Sequence, residues 1–279
     1  MSAPIPLNVA LDTFKSLGNE APHASRSDRY QVISTREVLT RLYGEGFSIY
    51  QASEKSVRNP DRVGYQKHLV RLRHATTTDA GHGVPDIILT NAHDGAASFM
   101  LLSGWIEFAC SNGLIIGDVK SAYRIRHTGD VASKVIDAAY KVISEADEIK
   151  AEVADMRATM LPNYAVADFA ERAHALRFGD SERAPVSPDA FNYTRRIEDH
   201  NPSLWSVYNR VQENTIRGGM RGRIIASTGR MRRTSVRAVS SIDKAVSINS
   251  ALHGIAREML NTYSKSSAPA LSHMYRAAA

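Results

Sequence analysis

Apolar positions along the chain change their period near residue 130. Before it, short apolar runs alternate with polar positions; after it, apolar residues recur every three or four. "RYQVIS" predicts a short strand near Tyr30. "STREVLTRLYGEGF" predicts a helix with Ser34 and Glu37 at capping-box spacing, an apolar stripe of Val38, Leu39 and Leu42, and a stop at Gly44 and Gly46. "FSIYQASEKSV", "YQKHLVRLRHAT", "PDIILTNAHDG", "SFMLL" and "SAYRIRHT" follow as strands. In the second of these, Lys67, Leu69, Arg71 and Arg73 share one side, and His68, Val70, Leu72 and His74 share the other. Arg124 and Arg126 share a face of the last. "GWIEFACSNGLIIGD" fits either a hairpin turning at Asn112-Gly113 or a short helix ending there, with the hairpin favoured.

From Asp130, a candidate N-cap, the period becomes helical. Val131, Val135, Ala139, Val142, Ala146, Ile149, Val153 and Met156 predict one long amphipathic helix ending before Pro162. "AVADFAERAHALRF" predicts another, and "DSERAPVSPDAFN" a loop leading to a weaker element. Asn201-Pro202 reads as an N-cap and first-turn proline opening "SLWSVYNRVQENTIR", which Gly218-Gly219 ends. "SIDKAVSINSALHGIAREML" is the last helix.

Strands first and helices afterwards predict an α+β fold, with an antiparallel β-meander and a long helix in the N-terminal half and a helical C-terminal half. The expected organisation is an arm over 1–25, a mixed region over 26–160, a helical region over 161–264 carrying a basic stretch at 217–237, and a tail over 265–279. No run nears the ~18 apolar residues a membrane helix needs. The N-terminus lacks a basic segment followed by an apolar one, and Cys110 stands alone, so neither secretion nor an internal disulfide is expected.

Charge sharpens the picture. The formal net charge is +6, and the segment "RGGMRGRIIASTGRMRRTSVR" alone holds Arg217, Arg221, Arg223, Arg230, Arg232, Arg233 and Arg237. Without these seven the remainder would sum to about −1, and no acidic residue falls between Glu213 and Asp243. Bracketed by a Gly-Gly stop and a helix start, and containing Ile224-Ile225, the stretch reads as an anchored loop or short hairpin. Arginine suits phosphate because its planar fork binds in pairs of hydrogen bonds and stays charged. Lys67, Arg71, Arg73, Arg124 and Arg126 could widen such a track, and Tyr65, Tyr123 and Trp205 could stack on unpaired bases.

Other chemistry finds little footing. Cys110 sits in an apolar run, with nothing that brings His93 or His127 to it. Asp86, His93, Asp94 and Asp118 are loosely grouped but lack metal-ligand spacing. No Walker A or GxGxxG motif is present. No catalytic residue, cofactor or metal is therefore assigned. A rival use for the arginines is a subunit contact with the acidic helix around "SEADEIKAEVAD", which carries Glu145, Asp147, Glu148, Glu152 and Asp155.

The ordered series "RYQVISTREVL…GEGF", "YQKHLVRLRH", "TNAHDGAASF", "FACSNGLIIGD", "RIRHTGD" and "LWSVYNRVQENTIRGG" resembles a phage- and plasmid-borne family, domain of unknown function 932, from about Arg26 to Leu260. That resemblance implies a mobile-element protein of the bacterial cytoplasm and carries no catalytic set with it. In organisation alone, the chain is similar to the single-strand annealing proteins of phage recombination. The expectation is a non-enzymatic DNA-binding accessory protein of phage or plasmid replication or recombination, favouring single strands and able to form homo-oligomers. If all seven arginines met phosphates of a single strand, the log–log salt slope would be about −5. The runner-up is a host-takeover or anti-defence factor acting through protein contacts; a metal-dependent DNA-modifying enzyme ranks third.

Overall fold

The computed structural model of the chain describes residues 3–27, 30, 32–77, 84–95, 97–106, 123–125, 131–179, 184–225 and 228–264. Two compact units emerge: residues 1–150 with 239–250, and residues 151–238 with 251–279. The architecture is α+β, with an antiparallel sheet in the N-terminal half and mostly helices after it.

In the first unit, strands β1 (Phe47–Glu54), β2 (His68–His74), β3 (Val84–Asn91), β4 (Phe99–Ile106) and β5 (Tyr123–Ile125) pair in sequence order as an antiparallel meander. Alternation sends Phe47, Ile49, Val70, Leu72, Ile87, Leu89, Phe99 and Leu101 to one face, where all are buried. Helix α3 (Thr35–Gly44) covers that face with Val38, Leu39 and Leu42, and α4 (Val131–Ser144) with Val135, Ala139 and Val142. Each such Val, Leu, Ile or Phe side chain contributes about 1.5–3 kcal/mol of burial. The opposite face sets Leu69, Ile88 and Leu102 against Ile242 and Val246, the opening turns of α8 (Ile242–Tyr263). The expected start of α3 holds: the Ser34 side chain accepts from the Glu37 N–H at 3.1 Å.

Several local expectations change. The N-terminal arm is folded: α1 (Leu7–Thr13) and α2 (Lys15–Gly18) bury Ala10 and Leu17 completely in the same core. The described part of "RYQVIS" is not a strand. Its Ile33 carbonyl is taken by the Asn91 side-chain amide at 2.9 Å, so the segment is pinned by a side chain and not by a ladder. The long helix is two, α4 and α5 (Ala146–Ala158), parted at Glu145. There Ser144 turns its hydroxyl back on the Lys141 carbonyl, and Glu145 accepts from the Tyr123 hydroxyl at 3.1 Å. Residues 107–122, which include the hairpin-or-helix turn at Asn112-Gly113, and Asp130 lie outside the described residues.

The second unit is built around α7 (Leu204–Arg217), in which every residue from Leu204 to Thr215 is buried. Its cap is Ser203, whose hydroxyl accepts from the Ser206 N–H; Asn201, expected in that role, instead accepts from the Ser203 N–H at 2.9 Å. Helix α6 (Asn163–Phe178) brings Phe169 to stack on Tyr208 at 6.1 Å between ring centroids. Trp205 is 2% exposed and meets Tyr208 edge-on, so it is a core residue and offers no stacking platform. A short 3-10 turn at Pro188–Asn192 buries Phe191. Among the described residues, no helix is long and apolar enough to cross a membrane.

Candidate nucleic-acid interface

The arginine-rich stretch is a two-stranded antiparallel hairpin, β6 (Arg221–Ile225) paired with β7 (Met231–Ser235), in the second unit. Its root is held from several directions. Gly218 ends α7 at φ 64°, a left-handed geometry that glycine alone adopts without strain, and its N–H donates to the Asn214 carbonyl. Buried Met220 and Val236 continue the ladder, with the Val236 N–H donating to the Met220 carbonyl at 2.9 Å. Two arginines from outside the hairpin clamp its base by main-chain carbonyls: Arg195 on Gly218 and Arg177 on Arg237. Arg195 also donates to Asn214 Oδ1 at 2.8 Å, while Asn214 Nδ2 donates to the Phe191 and Tyr193 carbonyls. Along the outer edge of β6, the Arg223 N–H donates to the Pro185 carbonyl at 2.8 Å. Gly222 permits that approach, since a Cβ there would lie 1.9 Å from the Pro185 oxygen.

Register then sorts the side chains. Arg221 lies opposite Ser235, Arg223 opposite Arg233 and Ile225 opposite Met231, and all six share one face. The Arg223 N–H points outward to Pro185 and the Val236 N–H inward to Met220, which makes these three the non-hydrogen-bonded pairs. Cα atoms in such pairs stand only about 4.5 Å apart. Two like charges, Arg223 and Arg233, therefore occupy directly opposite, exposed positions, a pairing that is destabilising by itself. The other face carries Gly222, Ile224, Thr234 and Arg232. Ile224, expected to help anchor the stretch, is half-buried, whereas Ile225 is 73% exposed; Met220 and Val236 do the anchoring.

Of the seven arginines, Arg217 on α7 pairs with Glu213 at 3.0 Å. Arg221, Arg223, Arg230, Arg232, Arg233 and Arg237 are exposed and meet no carboxylate among the described residues.

The sheet cations are placed differently. Lys67, Arg71 and Arg73 are buried at 5, 7 and 8% exposure. Lys67 pairs with Asp243, Arg71 with Asp86 at 3.2 Å, and Arg73 with Asp86 at 2.7 Å, Arg73 also lying over the Tyr50 ring. Burial pushes the Asp86 carboxyl up, and Arg73 and then Arg71 pull it back. These three cations are spent inside the first unit. Arg124 lies on β5 opposite Met100, and Arg126 lies outside the described residues. Tyr65 and Tyr123 are half-buried, the first against His23 and the second bonded to Glu145.

The loose acidic group also separates. Asp86 sits between two arginines, the Nε2 of His93 bonds with the Ser16 carbonyl oxygen at 2.9 Å, and Asp94 faces Arg62 at 3.7 Å. Asp118, Cys110 and His127 lie outside the described residues. Among those described, no cluster of three or more His, Cys, Asp or Glu side chains is placed to hold a metal ion. In the acidic helix pair, Glu145 and Glu152 are engaged internally, Glu152 with Arg257 at 3.3 Å, while Asp147 and Glu148 are exposed.

A family model described as "Domain of unknown function (DUF932)" matches residues 22–253. The chain belongs to this family. Two relatives from Escherichia coli (strain K12), "UPF0380 protein YafZ" and "UPF0380 protein YfjQ", are each 38% identical over 245 residues, which is 88% of this chain and 88% of theirs. No solved structure matches the chain. For this DUF932 protein the sequence left an anchored loop or a short hairpin open between Gly218-Gly219 and the last helix, and the structure has the hairpin. Its clamps Arg177 and Arg195, and the exposed pair Ile225–Met231, were not singled out from the sequence; period-two alternation through "RGRII" and "MRRTS" is the signal that assigns the pair to the arginine face.

Proposed function

We propose that this DUF932 protein binds DNA through the β6–β7 hairpin, as a non-enzymatic accessory factor in the replication or recombination of mobile elements in the bacterial cytoplasm. The observation that carries the reading is the Arg223–Arg233 pair: two exposed arginines at directly opposite register positions on one hairpin face, with no carboxylate partner among the described residues. Such a pair is relieved by a multivalent anion, and closely spaced phosphates supply one. Arg221, Arg230, Arg232 and Arg237 extend the same cationic ribbon. Lys67, Arg71 and Arg73 are left out because their charge is already met.

The test is a binding titration of wild type and an Arg230/Arg232/Arg233 triple alanine variant against single- and double-stranded DNA at two salt concentrations. The variant is expected to bind on the order of ten- to a hundred-fold more weakly at low salt, and the wild type to weaken steeply with salt. The three side chains are exposed, so folding should be retained, as circular dichroism would show. No binding to either DNA at low salt overturns the proposal. So does a protein partner captured after nuclease treatment and lost with the same three substitutions, an outcome that assigns the arginines to an acidic protein surface.

A further inference from the structure

Stacking on unpaired bases needs an aromatic ring that solvent can reach, and the hairpin supplies none: neither β6 nor β7 carries an aromatic residue. Of the three rings that the sequence offered, Trp205 is core, and Tyr65 and Tyr123 are half-buried in the first unit. Among the described residues the exposed aromatic side chains are Tyr43, Tyr140, Tyr164 and Tyr193. Tyr43 and Tyr140 belong to the first unit, and Tyr164 lies against Tyr263, with 6.3 Å between ring centroids. That leaves Tyr193, in the unit that carries the hairpin and 65% exposed. Among the described residues its ring meets no other aromatic ring and its hydroxyl no hydrogen-bond partner.

The main chain beneath this ring is fixed, and it is fixed to the root of the hairpin. Fully buried Phe191 seats the chain two residues earlier, and the Asn192 side chain accepts from Arg210 Nε at 2.6 Å. The Tyr193 carbonyl accepts from Asn214 Nδ2 at 2.7 Å, and its N–H closes the 3-10 turn on the Ala190 carbonyl. Two residues on, Arg195 donates to Asn214 Oδ1 and to the Gly218 carbonyl, and a Cβ on Gly219 would lie 3.8 Å from both of its terminal nitrogens. Asn214 thus ties Tyr193 to the last turn of α7, and Arg195 ties the same segment to the two glycines that lead into β6. Exposed Arg221 stands at the first ladder pair of that strand. One hydrogen-bond network therefore holds an open ring and the root of the cationic ribbon. A ring on an immobilised main chain has little conformational freedom left to lose when a flat partner settles on it.

We infer that Tyr193 is a stacking platform for an unpaired base, so that the chain holds a single strand by two kinds of contact: phosphates on the hairpin arginines and a base face on the Tyr193 ring. The inference rests on the DNA-binding reading above and adds to it single strands as the preferred substrate. In a duplex the faces of each base are covered by its neighbours in the stack, whereas an unpaired strand can turn a base onto an aromatic side chain. Phosphate contacts are open to both forms of DNA; the stack is open to one. Every base has a π-face, so the preference is for strandedness and not for sequence.

The test uses the full-length chain, a homothymidine oligonucleotide and a duplex of equal length, with the variants Tyr193→Ala, Tyr193→Phe and Tyr193→Trp. The ring is exposed, so the fold should survive each change, and duplex binding is the internal control. Wild type should bind the single strand more tightly than the duplex at the same salt. Tyr193→Ala should weaken single-strand binding roughly 5- to 150-fold, the loss of one stacked base, and leave duplex affinity and both salt slopes where they were. Tyr193→Phe and Tyr193→Trp should keep the affinity of wild type, and the single strand should quench the added indole beyond the signal of wild type. Single-strand binding that Tyr193→Ala leaves unchanged, or that Tyr193→Phe fails to retain, overturns the platform and leaves the DNA-binding reading standing. So does an equal loss on single strand and duplex, which would mean that Tyr193 shapes the hairpin root and touches no base. Absence of binding to any DNA overturns both.

Discussion

His68 is fully buried on the core side of β2, its Nε2 2.8 Å from the Thr35 hydroxyl and its ring 5.4 Å from that of His93. Burial, followed by the nearby His93, pushes its pKa from 6.5 down to about 3. The folded chain therefore keeps this ring neutral where the unfolded chain protonates it. Stability is complete above pH ~6.5 and is lost as pH falls towards 3, by up to about 1.4 kcal/mol per pH unit from this group. Urea midpoints at pH 7, 5 and 4 should fall more steeply for wild type than for His68→Gln; parallel falls would remove His68 as a cause. Asp86 makes the complementary case. Replacing it with alanine strands Arg71 and Arg73 as buried, unpaired cations, and a loss of about 3–5 kcal/mol in chemical denaturation is expected. Alternation alone placed Lys67, Arg71 and Arg73 on one side of β2. It could not show what that side meets, because the Lys67 partner Asp243 lies 176 positions away. The cationic face of β2 thus looked like a phosphate site when it was the inside of a core.

Where local chemistry decides an element, the sequence read well. The Ser34 cap and the break at Gly218 each depend on neighbours in the chain, and each appears as expected. Where tertiary contacts decide, the reading drifted. The segment holding α1 and α2 looked like an arm because of Pro4, Pro6 and Pro22 and the polar run "HASRSDR" after them, yet Ala10 and Leu17 find a core built by strands far along the chain. The apolar period running through Glu145 hid the boundary between α4 and α5, where one residue departs from the helix while the Glu145 N–H still donates to the Lys141 carbonyl and the Ile149 N–H to that of Glu145. Hairpin β6–β7 lies between these cases. Its existence follows from local glycine and alternation, but its anchoring depends on Gly222 against Pro185. A methyl group at Gly222 would collide with main-chain oxygen, which cannot swing aside as a side-chain end can. Gly222→Ala should therefore free the outer edge of β6. Hydrogen exchange at the Arg223 amide, which now donates to Pro185, should accelerate while α7 amides stay protected. Equal acceleration throughout α7 would mean instead that the unit as a whole had loosened.

For the whole molecule, the location of charge matters more than its total. A formal +6 spread evenly would attract any polyanion weakly from all sides. Here the seven arginines of 217–237 carry the excess, and the remainder is close to neutral. Six of the seven stand exposed without a carboxylate among the described residues, whereas Lys67, Arg71 and Arg73 are buried with theirs. Counterion release counts only cations that reach phosphate. If the DNA-binding reading holds, the log–log salt slope on a duplex should be about −5, set by the six exposed arginines at ~0.9 each. Every exposed arginine changed to alanine should flatten it by about 1, so the Arg230/Arg232/Arg233 variant should fall near −2 to −3. Lys67→Met, which removes the same kind of charge from a buried pair, should leave the slope where it was. Titrations over ~50–200 mM salt read all three. If Lys67→Met flattened the slope as much as a hairpin arginine does, the polyanion would be meeting the overall charge of the molecule and not the β6–β7 hairpin.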